Sequence, residues 1–112
     1  SAPVASVSIS NQFQGETVTV DSAELSEGGY VVLHLNRPGG EVIGRSKYLP
    51  AGRSQNIQIQ VRDDANIPDD ATVVAIPHLD TNGNEEFDFT GGEVDRVYPP
   101  GEDAVKAEAT LE

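Results

Sequence analysis

The chain has 112 residues, with 19 acidic and 7 basic side chains and a formal net charge of −12. One domain is expected at this length, and the absence of Cys excludes a disulfide framework, a thiolate zinc site, an iron–sulfur cluster and a cysteine nucleophile. The charge argues against nucleic acid as a partner, and no apolar run approaches the ~18 residues of a membrane-inserted span.

In chain order the pattern reads as strands nearly throughout. Val7 and Ile9 alternate with Ser, and Val18 and Val20 alternate with Thr, the period of two that a half-buried strand requires. Residues 22–27 are the best helix candidate and amount to one turn. Gly28-Gly29 breaks the chain before an apolar run at 30–35, which suits a central strand covered on both faces. A turn at Pro38-Gly39-Gly40 leads to a strand at 41–49, and Pro50-Ala51-Gly52 leads to one at 56–61, with Ile57, Ile59 and Val61 inward. After a polar stretch come a second buried-type strand at 71–76 and a closing strand at 104–111, with Val105, Ala107, Ala109 and Leu111 on one face. Short strands at this spacing predict an all-β fold: an immunoglobulin-like antiparallel β-sandwich of about seven strands. With no Cys–Trp–Cys core it is not of the antibody type. The chain is read as a single β-sandwich domain over 1–112, with an acidic loop insertion at about 77–103.

The acidity is concentrated near that insertion. Residues 1–56 carry five acids and four bases, whereas 57–112 carry fourteen acids against Arg62, Arg96 and Lys106. Within the insertion, Asp80-Thr81-Asn82-Gly83-Asn84-Glu85-Glu86-Phe87-Asp88 places oxygen-bearing side chains at alternate positions, a spacing that lets a tight loop wrap one hard cation. Asp80, Asn82, Asn84, Glu86 and Asp88 are the candidate ligands, and Ca²⁺ is the ion they suit. The loop departs from the EF-hand: glycine sits at position 4 rather than 6, and position 12 is Gly91 rather than Glu. The alternative is an acidic hairpin turning at Asn82-Gly83.

His34 and His78 fall on strands that neighbour each other in a sandwich of this type. They are read as packed side chains, with a two-His zinc or copper site as the alternative. No nucleophile elbow or phosphate loop is present, so no enzyme is expected. Tyr48, Phe87, Phe89 and Tyr98 are the candidate platforms for carbohydrate. Abundant acid with only two Lys suits a protein soluble in concentrated salt, where self-repulsion is screened. Opening on Ser1 rather than Met fits a processed or excised chain, and a removed leader would place it outside the cell.

Residues 20–34, 42–52 and 73–89, the last containing Pro-His-Leu-Asp-Thr-Asn-Gly-Asn, resemble an uncharacterised β-sandwich domain of haloarchaeal secreted and cell-surface proteins, often arranged in tandem. The resemblance spans roughly 7 to 111 and implies an extracellular or cell-surface module of a high-salt organism, without a reaction. Two roles then compete. One is a structural or adhesive module that meets neighbouring surface domains. The other is a ligand-binding module, for carbohydrate or a transition metal, using the edge at 77–101. A third is self-association, in which strand 2–10 pairs with a neighbour's open edge.

Overall fold

The computed structural model describes residues 5–37, 40–78 and 107–112. Seven strands follow one another, with no helix among the described residues: β1 (Ala5–Ile9), β2 (Thr17–Leu25), β3 (Tyr30–Leu35), β4 (Val42–Arg45), β5 (Gly52–Gln60), β6 (Ala71–His78) and β7 (Ala107–Leu111). Two antiparallel sheets result, ordered β1-β2-β5 and β4-β3-β6-β7. Placing the first, second and fifth strands against the third, sixth and seventh is the partition of an immunoglobulin-like sandwich, here with β4 beside β3.

The core lies where the inward positions of the two sheets meet. Val18, Val20, Ala23, Leu25, Ile57 and Ile59 pack against Val31, Leu33, Leu35, Val73, Ala75, Ala109 and Leu111. The two central strands are buried on their other face as well, through Tyr30, Val32, His34, Val74, Ile76 and His78. That is the two-sided covering expected of the apolar runs.

Several element boundaries differ from the sequence expectation. The one-turn helix at 22–27 is instead the end of β2, whose inward set passes from Val18 and Val20 to Ala23 and Leu25. This change of phase comes from a bulge. Ser8 pairs with Ser22 but Ile9 with Val20, so Asp21 is extra, and its carboxylate accepts a 2.5 Å hydrogen bond from the Ser10 hydroxyl. β5 kinks at the same level, where Asn56 has φ 51°. It begins at Gly52, four residues early, because Arg53 to Gln55 carry no apolar signal although they pair with β2.

The strand expected over 41–49 ends at Arg45. There the Ser46 hydroxyl, rather than a further ladder group, accepts the Val31 N–H at 2.9 Å. β6 continues past Ile76 through Pro77 to His78. Both main-chain groups of the opposing Val31 bond to Ser46 on the β4 side, so Pro77 takes no hydrogen bond from β3 and its missing N–H costs nothing there. Of the closing strand, residues 104–106 lie outside the described residues.

The sandwich is also joined along its sides. Gln12 and Leu111 form a parallel bridge between the chain leaving β1 and the end of β7. On the other side, Arg62 N–H donates to the Ile43 carbonyl at 2.8 Å, and its guanidinium donates to the Val42 carbonyl at 2.9 Å.

Candidate functional site

The acidic loop proposed as the cation site, with Asp80, Asn82, Asn84, Glu86 and Asp88, lies outside the described residues, as do Phe87, Phe89 and Tyr98. Its N-terminal root is described, and it is the end of β6, where the two histidines stand. β3 and β6 are hydrogen-bonded neighbours. Their outer faces bring the rings of His34 and His78 to a centroid separation of 6.4 Å, inclined by only 17°. Both are buried, His78 to 1% exposure and His34 to 9%.

His34 Nδ1 lies 3.0 Å from the Gly40 carbonyl oxygen, which can only accept, so Nδ1 carries a proton, and in the neutral form of the ring Nε2 holds the lone pair. That Nε2 is buried and makes no hydrogen bond among the described residues. An imidazole anchored through Nδ1–H to a carbonyl is oriented as metal-binding histidines are. Two rings sharing one tetrahedral zinc at ~2.0–2.1 Å bonds would stand roughly 5 Å apart, however, so the pair would have to close up to share an ion. No group of three metal-ligating side chains converges among the described residues.

Of the four aromatic residues considered for carbohydrate, Tyr48 is described. It is half-buried, meets Tyr30 edge-on with ring centroids 5.9 Å apart, and lies over Gly28. Gly28 has φ +79°, and a Cβ there would stand 2.7 Å from the Tyr48 hydroxyl, so this turn requires glycine. Tyr48, Ser54, Gln55, Asn56 and Gln58 are among the residues lining an open groove of about 500 Å³.

Sequence reasoning missed Gln12. Its side-chain amide serves both main-chain groups of Thr19: Thr19 N–H donates to Oε1 at 2.9 Å, and Nε2 donates to the Thr19 carbonyl at 2.9 Å. Its main chain meanwhile bonds to β7. One residue therefore ties both sheets. The local signal was slight, because Asn11-Gln12 reads as an ordinary polar turn after β1.

The paired sheets define an all-β sandwich. The chain belongs to a domain family described as a domain of unknown function, DUF7282, which matches residues 5–112. It is 48% identical to "Cell surface glycoprotein 1" of Haloarcula hispanica over 91 residues, covering 80% of this chain and 10% of that protein. To "Cell surface glycoprotein 2" of the same organism it is 47% identical over 91 residues, with the same coverage. The chain thus spans about a tenth of the length of these relatives. No solved structure matches it. A haloarchaeal type of domain at the cell surface or outside the cell is what these relatives establish. The chain holds no Asn-X-Ser/Thr triplet, so the word glycoprotein in their names assigns no N-linked site here.

Proposed function

We propose that this chain is a non-catalytic structural or adhesive module of the surface of a halophilic prokaryote, stabilised by Ca²⁺ at the Asp80–Asp88 loop. The observation that carries the reading is the match itself. Cell-surface proteins ten times the length of the matched stretch contain a domain nearly half identical to this one, as expected of one unit in a long surface polypeptide. Support for the ion comes from the sequence: five oxygen-bearing side chains at alternate positions, in the half that holds fourteen of the 19 acids.

Thermal unfolding in molar NaCl, with and without millimolar Ca²⁺, tests the ion. A specific site raises the midpoint well beyond what Mg²⁺ does, through binding to the folded state alone. The gain is expected to disappear in Asp80→Ala. An equal response to both cations, or an Asp80→Ala chain that still responds to Ca²⁺, would remove calcium from the reading and leave the surface role.

One observation favours a second reading, a transition-metal module. It is the buried lone pair of His34 Nε2 beside the His78 ring. Zinc or copper titration followed by imidazole NMR distinguishes it. Shifts confined to these two rings, abolished by His34→Phe, would support it, and unchanged rings would discard it. Self-association through the N-terminal strand would use the outer side of β1, which stands at the end of its sheet and is hydrogen-bonded to β2 on the other side.

A further inference from the structure

The chain leaving β1 does not stop at the first sheet. Residues 11–14 cross to the second sheet and run parallel to the last residues of β7. Three main-chain hydrogen bonds hold this pairing: Gln12 N–H to the Thr110 oxygen at 3.0 Å, Glu112 N–H to the Gln12 oxygen at 2.8 Å, and Gln14 N–H to the Glu112 oxygen at 2.9 Å. A fourth bond comes from Thr110 N–H to Asn11 Oδ1 at 2.9 Å. The two segments that face the ends of the domain are thus bonded directly to each other.

Direction decides how such a pairing responds to pulling. In a parallel pair, the N-terminal side of one strand and the C-terminal side of the other point opposite ways along a common axis. Tension entering before β1 and leaving after Glu112 therefore lies along that axis and across the hydrogen bonds, which are strained together. Were the strands antiparallel here, the same tension would open the bonds one at a time. The Gln12 side chain strengthens the arrangement, because its two bonds to Thr19 pass the load into β2 at the centre of the first sheet.

We propose that the pairing of residues 11–14 with 110–112 is a tension-bearing clamp, so that the module's further function is to resist force transmitted along a surface polypeptide. This rests on the reading of the chain as one unit of a longer surface protein, since only then does load enter at both ends.

The chain has no Cys, so introduced cysteines give unique handles for single-molecule pulling. Gly15 suits one, because a Cβ there meets nothing within 4 Å. Pulling between the N- and C-termini shears the clamp. Pulling between Gly15→Cys and the C-terminus loads the same bonds from one end and peels them apart. The expected result is a high-force unfolding peak in the first geometry that is lost in the second. Gln14→Pro, which deletes one clamp donor, should lower the first force and leave the second unchanged, whereas Gln14→Ala, which keeps the donor, should retain the first. Unfolding under force follows the unfolding barrier, which is the quantity the clamp controls. Equal forces in the two geometries would overturn the proposal, even if Gln14→Pro fails to fold. So would a folded Gln14→Pro chain with the parent's force. The comparison is made on the chain alone, so its failure and failure of the surface reading are separate results.

Discussion

At the scale of single residues, the structure depends on a few polar side chains that stand in for backbone. Gln12 is the clearest case. Where β1 parts from β2, Thr19 would lose its partners on that side, and the Gln12 amide supplies both a donor and an acceptor. Gln12→Ala leaves a partly buried N–H and C=O without these bonds. It is expected to destabilise by about 1–3 kcal/mol. Urea unfolding with a lowered midpoint and an unchanged slope is the check, since the loss is local. Ser46 acts similarly for Val31. Neither role is legible from sequence, because a side chain that imitates main chain has no periodicity and is recognised only once its partner is placed.

At the scale of elements, what the sequence conveys is the inward alternation, and what it hides is where that alternation changes phase. Ile57 and Ile59 are inward as expected, and the run 30–35 is buried on both faces. The bulge at Asp21 moves the inward positions from even to odd numbers, which is why β2 looked like a strand followed by a turn of helix. Of the candidate site, the approach of His34 to His78 was legible from strand adjacency alone. The way Gly40 orients His34 was not, because it depends on the chain's return after β3.

Gly44 belongs to this scale too, because it sets how closely β4 approaches β5. A Cβ there would stand 2.7 Å from the Gln60 carbonyl oxygen and 3.0 Å from Ile59 Cγ2. The nearest obstacle is backbone, so relief requires the sheets to part. Gly44→Ala is expected to cost about 1–3 kcal/mol by overpacking, read as a lower denaturation midpoint.

Beside it, Arg62 grips Asp64 through two hydrogen bonds of 3.1 and 3.0 Å. The hydrogen bond and the positive charge of Arg62 hold the Asp64 carboxyl below its usual range. A carboxyl depressed on folding stabilises the fold above its unfolded pKa of ~3.9, and that contribution is lost as pH falls through the lowered value. Asp64→Asn should therefore melt slightly below the parent at neutral pH and level with it in strong acid. Both partners are exposed, so in molar salt the difference should nearly vanish. Thermal scans at the four combinations of pH and salt measure it.

For the whole molecule, charge and fold act on different terms. A net charge of −12 on 112 residues opposes compaction in dilute solution, and eleven of those charges belong to residues 57–112. The thermal midpoint should rise steeply from low to molar NaCl. Glu85→Gln with Glu86→Gln should raise the low-salt midpoint and leave the high-salt one nearly unchanged. A parent midpoint independent of NaCl would show that self-repulsion does not limit its stability.

Concentrated salt has a second consequence, for the margins of the two sheets. At 1 M the screening length is only ~3 Å, so like charge no longer keeps neighbouring copies apart. Exposed strand edges would then be free to template each other. The shape of each margin guards against this. β4 spans four residues and carries a bulge, β1 spans five, β5 is kinked at Asn56, and the end of β7 is already occupied by Gln12 and Gln14. In concentrated salt, colloidal stability thus passes from electrostatics to geometry, and the irregularities of these described strands work against fusion of copies edge to edge.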